Sequence, residues 1–350
     1  MSVSINMGNR DLTLDLSKGI LITLVVLGHN IQYSFGEEWL TSGQFFDNIV
    51  FKIIYSFHMP LFMMISGYLF YNSNKKDFKQ LMTSKLKAIG IPMLSFILLF
   101  NLYLYILLLA DGYILGICKH YITSIFCGMT MWFLFSLLLN VTLIAVLTRL
   151  VKDKTQQYLG MIIIFVASFF IPDFIVLSVH KFMFPFFCLG YVIKQHDVNI
   201  YACSFSKLRL SILSTLSVWV ICWYDKDTYI YTSGFCIIGN ITNQLFIDCK
   251  RMIIAIVVSY TVIQYVHLFV YCDNRVTKSI LKLGQISLFI YGFNIVFYMP
   301  YTKALSLLSM NFDFNYLIPI IVTFCFILLS YYMYKLLEKS NFTRIALLGK

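Results

Sequence analysis

Charge is scarce in this 350-residue chain: Asp, Glu, Lys and Arg together make up 12%, about half of the roughly 25% carried by soluble domains. That shortage excludes a water-facing shell around one buried core. The nine cysteines stand singly, with no C-x-x-C pair, so neither a zinc ribbon nor a disulfide framework is indicated, and no metal site is expected. Residues 1–17 lack an apolar core followed by a small-residue cleavage site, so the first apolar run reads as a true span, not a removed leader. There is no internal repeat of the kind that marks many secondary transporters. No polar stretch is long enough for a soluble domain, so residues 1–350 read as one membrane domain with its core at about 10–336.

Hydrophobic residues instead make up 59% of the chain, at a mean hydropathy of +0.79. A spanning helix needs about 20 mostly apolar residues. Runs of that kind predict an all-α, polytopic bundle of about ten transmembrane helices, at 17–36, 48–71, 88–109, 131–150, 157–173, 179–194, 208–224, 251–271, 279–299 and 315–336. The net charge of +11 follows topology, not a nucleic-acid surface: 20 of the 27 Lys and Arg residues fall in alternate connections and at the two ends. The positive-inside rule then puts both termini in the cytoplasm, with membrane lipid around the bundle. The stretch 226–250 is too polar for a span and too apolar for a free loop. It reads as an amphipathic or re-entrant piece on the outer side.

Ionisable side chains inside a membrane are expensive and mark function or a paired neighbour. His29 lies twelve residues past the cytoplasmic start of the first predicted helix, about 18 Å deep, and His58 lies twelve residues before the cytoplasmic end of the second, at a similar depth. Two antiparallel helices can therefore set both imidazoles at one level. Histidine is the side chain best suited to move protons near neutral pH. A buried histidine bonded to a neighbouring helix is the alternative for each.

The segments around them, RDLTLDLSKGILITLVVLGHN at 10–30 and SFHMPLFMMISGYLF at 56–70, resemble the acyltransferase 3 family of integral-membrane acyltransferases. The first carries Arg10, Asp15, Lys18 and His29 in the family's spacing, with Gly19 and Gly28 also in place. Weaker matches follow at KLKAIGIP (85–92), Met131–Leu134, Phe186–Tyr191 and GQISLFIYGFN (284–294). The resemblance implies transfer of an acyl group, usually acetyl, from coenzyme A on the cytoplasmic side to a hydroxyl of a glycan or lipid-linked glycan. It also implies residence in a bacterial inner membrane, with acetyl-CoA as donor and a surface polysaccharide as the acceptor class.

On that resemblance His29 is the general base that takes the acceptor proton, since a hydroxyl is a poor nucleophile until a base removes it. A covalent acetyl-histidine is the competing route. Arg10, Lys18 and the lysine loop at 75–87, including Lys85 and Lys87, would meet the phosphates of the donor, although any short cytoplasmic loop is lysine-rich; Asp15 and Lys18, near the helix entrance, would hold the cofactor or each other and not orient the ring. His58, Ser66 and Tyr68 would line the donor path, with close helix packing and an interfacial aromatic as the bland reading of the last two. Trp132 reads as an aromatic-belt residue or a platform for a sugar. Two positions depart from the family pattern: Ala88, where a second arginine is common, and Asn294, where many relatives carry histidine. Asparagine can orient a hydroxyl but cannot exchange a proton at neutral pH. A different class of protein also fits the two histidines, namely a transporter or polysaccharide exporter that relays protons. A third reading is a sensor that kept the fold and lost the chemistry.

Overall fold

The computed structural model describes residues 11–34, 43–110, 112–127, 130–171, 177–231, 235, 241–272, 274–307 and 317–350, and every regular element among them is helical. Helix α1 (Leu12–Tyr33) starts where Asp11 accepts from the backbone N–H groups of Thr13 and Leu14, which satisfies two donors that a helix start leaves open. Asn48 caps α2 (Ile49–Ser73) in the same way through Val50 and Phe51. The chain continues through α3 (Phe78–Phe100), interrupted by a π-turn at Leu86–Gly90. Short helices α4 (Leu102–Ala110) and α5 (Ile114–Cys127) lead to α6 (Trp132–Leu150). Next come α7 (Lys154–Ser168), α8 (Leu177–Gln195) and α9 (Lys207–Ile221), then α10 (Ile241–Val270), α11 (Arg275–Gln285) and α12 (Ser287–Leu307). Helices α13 (Leu317–Leu337) and α14 (Asn341–Leu348) close the described chain.

Six of these, α1, α2, α3, α6, α10 and α13, are long and apolar enough to cross a membrane among the described residues, and the pair α11 and α12, bent by 75°, makes a seventh. The ten predicted spans thus have helical counterparts, but not all of membrane length. Helices α7 and α9 have 15 residues each, about 22 Å against a hydrocarbon core of about 30 Å. Helix α8 is long enough but carries His180, Lys181 and Lys194. The outer surface of the bundle is apolar: Ile321, Phe324 and Leu328 of α13 and Leu208, Val218 and Trp219 of α9 are exposed.

Three departures from the sequence reading have physical causes. Helix α10 begins at Ile241, ten residues before the expected 251, so the second part of the proposed re-entrant stretch is ordinary helix. It accommodates charge because Asp248 and Arg251, 1% and 2% exposed, form an i,i+3 ion pair at 3.0 Å, and the guanidinium lies over the rings of Phe182 and Phe235. The expected ninth span is broken at Ile286. Helix α11 exposes Arg275, Lys278 and Lys282 and buries Thr277, Leu281 and Gly284, the pattern of a helix lying along a surface. Helix α5 forms where a loop was expected.

Close approaches without a Cβ hold the centre. Helix α1 touches α2, α10, α11, α12 and α13. A Cβ on Gly19 would sit 2.0 Å from the Ile280 carbonyl oxygen, and one on Gly284 2.0 Å from that of Asp15. Between α2 and α8 the same geometry recurs. A Cβ on Gly67 would sit 2.0 Å from the Phe187 carbonyl oxygen, and one on Gly190 1.9 Å from that of Met64. Backbones meet this closely in membrane bundles where small residues line the contact.

Candidate active site

The start of α1, the ends of α2, α8 and α10, and the α11 segment lie together at one end of the bundle, the near end. Contacts there include Thr13 with His267 and Tyr68 with Lys194. The end of α1 and the start of α2 lie at the opposite, far end. His29 is on the fifth turn of α1, seventeen residues from its start, about 25 Å along and therefore nearer the far end than an even mid-depth. Helix α1 begins five residues earlier than the sequence indicates, which accounts for the difference.

His29 is partly accessible while its neighbours Gly28, Asn30, Ile31 and Gln32 are buried. Its Nδ1 lies 2.6 Å from Oδ1 of Asn294 on α12. A carbonyl oxygen only accepts, so Nδ1 carries the proton and donates. The lone pair is thereby placed on Nε2, the atom that a general base needs free. Gly28 matters here too: a Cβ at that position would sit 2.9 Å from the ring of Tyr55, so its absence lets α2 close against α1 beside the imidazole.

His58 is buried at 3% exposure. Its Nδ1 donates to the Ile54 carbonyl one turn earlier at 2.7 Å, and its ring packs edge-on to Tyr55 at 4.8 Å. The alternative given for it above, bonding to a neighbouring helix, is replaced by a bond within its own helix.

The near end holds other residues singled out above. Asp15 is buried at 5% exposure and pairs with Lys18 at 2.6 Å, so these two hold each other and do not reach the imidazole. Arg10 lies outside the described residues. Beside them the Tyr201 hydroxyl donates to Asp11 at 2.7 Å, and the Tyr201 ring stacks on His267 at 4.1 Å. Burial, then the Asp11 carboxylate, push that phenol well above its ordinary range. The Asp197 carboxyl is held below its usual range by the Lys194 ammonium that bonds to it. Ser66 donates to the Phe62 carbonyl of its own helix at 2.8 Å and flanks the tight Gly67 contact. Tyr68 lies under the Lys194 ammonium, 5.4 Å from its ring centre. The lysine loop is braced by Arg149, which sequence reasoning missed: its guanidinium donates to the Asn74 side chain at 2.9 Å and to the Lys76 carbonyl at 2.8 Å. Lys85 sits over Phe70, and Lys87 is exposed on the π-turn.

Trp132 is buried, not set in an interfacial belt, with its ring edge-on to Phe133 and Tyr231. The structure also reveals residues that the motif reading passed over. Tyr33 lies four residues beyond His29, Tyr298 four beyond Asn294, and Tyr55 three before His58, each one helical turn toward the far end. That spacing was present in the sequence, but tyrosines are so frequent in this chain that spacing alone did not separate them.

A partly accessible imidazole bonded to an asparagine of another helix, deep in an apolar helical bundle, is the candidate centre of chemistry in this fold. The chain belongs to the Acyl_transf_3 family, described as an acyltransferase domain, whose model matches residues 11–335; it is a multi-pass membrane acyltransferase. It is similar to nodulation protein NolL of Mesorhizobium japonicum, 30% identical over 298 residues that cover 81% of this chain and 75% of the relative. It is also similar to nodulation protein NolL of Sinorhizobium fredii, 31% identical over 246 residues, 66% of this chain and 62% of that relative, so it spans less than two thirds of the second protein's length. No solved structure matches.

Proposed function

We propose that this protein is an O-acetyltransferase that moves acetyl from acetyl-CoA to a hydroxyl of a bacterial surface glycan, such as O-antigen, capsule or exopolysaccharide. In this reading it sits in the inner membrane, crosses it ten times, and keeps both termini in the cytoplasm. The alternation of helix directions supports that topology, because α7 and α9 run from the near end toward the far end and α8 runs back between them. The near end is then cytoplasmic, in keeping with the lysines at 75–87, and the far end faces outward.

The observation that carries the reaction is the His29–Asn294 bond. With Nδ1–H held by Asn294, His29 Nε2 accepts the proton of the acceptor hydroxyl as its oxygen attacks the thioester carbonyl. The carbon–sulfur bond breaks, and the departing thiolate is protonated by the imidazolium, which restores His29. Asn294 orients the ring and stabilises the imidazolium while it lasts. The family model over residues 11–335 supports the acyltransferase class, and the family resemblance supports a carbohydrate acceptor. Lys18 lies eleven residues before His29, about 16 Å along α1. A donor whose phosphates rest among Lys18, Lys85 and Lys87 would need an extended arm to bring its thioester to the imidazole, and coenzyme A carries one.

The test is mass spectrometry of surface glycans from cells with the gene, without it, and with His29→Ala. An acetyl-sized mass present only with the intact protein supports the reading, and loss of the base is expected to slow transfer by roughly 10²–10⁴-fold. Unchanged glycan masses combined with altered glycan amount or location would instead favour the transport reading.

A further inference from the structure

The tyrosines at the far end form a wall of two groups near the imidazole. Tyr33 stands 5.6 Å from the His29 ring and stacks on Tyr298 at 4.4 Å. On the opposite side Tyr55, beside His58, packs against Tyr229 at 5.5 Å, and Tyr229 against Tyr231 at 5.3 Å. Tyr231 in turn meets Trp132 edge-on at 6.1 Å. Four separate parts of the chain contribute: α1, α2, α12 and the segment between α9 and α10.

Two features separate this wall from ordinary aromatic packing. First, Tyr33, Tyr55, Tyr231 and Tyr298 keep partial accessibility, as His29 does, whereas Tyr229 behind them is buried. The accessible rings and the imidazole are thus the ones that a ligand entering from the far end can reach. Second, the wall is rich in hydroxyls. Tyr55 donates to Gln32 at 3.1 Å, while the buried Tyr224 hydroxyl has no hydrogen-bond partner among the described residues. A sugar ring presents apolar C–H faces that stack on aromatic rings and hydroxyl edges that bond to phenols, and tyrosine offers both with little rotamer entropy to lose.

We infer that Tyr33, Tyr55, Tyr231 and Tyr298 form an acceptor subsite for an uncharged sugar ring, which holds the hydroxyl to be acylated against Nε2 of His29. This rests on the acyltransferase reading above and specifies what its acceptor side recognises. The sugar enters from the far end, opposite the lysines, so donor and acceptor reach the imidazole from opposite ends without sharing an opening.

The experiment is saturation-transfer NMR on the full-length protein in detergent, with methyl glycosides of glucose, galactose, rhamnose and N-acetylglucosamine as probes and 1-octanol as the apolar control. Transfer from radiolabelled acetyl-CoA is measured alongside on the same preparations. At least one glycoside is expected to receive saturation in the wild type and in His29→Ala, and the signal is expected to fall at least fivefold in Tyr33→Ala and Tyr231→Ala. Tyr231→Phe, which keeps the ring, should recover part of it. In the tyrosine variants the acceptor KM should rise while the acetyl-CoA KM stays within twofold. Should an alanine variant not fold, Tyr33→Phe preserves the packing on Tyr298 and still removes a hydroxyl. Glycoside signals equal in all variants, or saturation of 1-octanol alone, would overturn the subsite while leaving His29 as base untouched. Full transfer activity in His29→Ala would overturn the base while leaving the subsite standing.

Discussion

Replacing Asn294 with alanine isolates the contribution of the histidine's partner. The His29–Asn294 bond is short, 2.6 Å, and in the transition state its donor is a forming imidazolium, so it is charge-assisted. Bonds of that kind contribute about 1.5–3 kcal/mol net. At 1.36 kcal/mol per factor of ten, kcat should fall roughly 10- to 150-fold, because the ring is then free to turn or to carry its proton on Nε2. The acetyl-CoA KM should be nearly unchanged, since Asn294 lies well along α12 from the lysines. Asn294→Asp keeps an acceptor oxygen at the same reach and should recover most of the rate. The assay is transfer from radiolabelled acetyl-CoA to delipidated surface polysaccharide, with thermal unfolding in detergent to confirm that each variant is folded. A kcat for Asn294→Ala within twofold of wild type would refute the reasoning. So would an equal loss in the alanine and aspartate variants when both are folded, which would make Asn294 a space-filling residue.

Two further outcomes test the frame around the site. Gly67→Ala and Gly190→Ala would each force a Cβ to about 2 Å from a facing carbonyl oxygen, so each should cost about 1–3 kcal/mol and lower the unfolding temperature. Gly90→Ala, whose nearest contact is a Leu86 side-chain carbon at 3.4 Å, is the matched control that should not. A double-mutant cycle on Lys18→Met and Asp15→Asn should show a coupling of about 1–3 kcal/mol in stability, because the pair is 2.6 Å apart and its carboxylate is buried. Additive effects would mean that the two side chains act separately, each toward the donor.

The parts of this molecule visible in its sequence are those where one physical signal dominates. The apolar runs of α1 and α2 placed both helices, with His29 on one and His58 on the other. What stayed hidden depends on pairing between distant residues. Asn240, Thr242, Asn243 and Gln244 make 226–250 polar when read along the chain, which pointed to an amphipathic or re-entrant piece. In the structure Asp248 and Arg251 neutralise each other within one turn of α10, and aromatic rings from α8 and the preceding segment cover the guanidinium. Asn294 looked like a departure because many relatives carry histidine there and asparagine cannot exchange a proton. Its carbonyl supplies something else, the choice of which nitrogen of His29 is free, and only the arrangement of α12 beside α1 reveals that. Trp132 matched an interfacial aromatic by position, yet the chain folds Tyr231 over it.

The contact between α1 and the bent pair α11–α12 is made at two places with matching intervals. Gly19 and Gly284 meet near one end, and His29 and Asn294 meet ten residues further along each strand of the pair. The two segments act as a ruler and its copy, fastened at the glycines and read at the imidazole. One residue inserted in α12 between Ser287 and Phe293 would leave the fastening intact but turn Asn294 by about 100° around its helix, away from His29. Substitutions in this stretch can therefore be tolerated wherever the interval is kept, while a change in its length amounts to removing the partner itself.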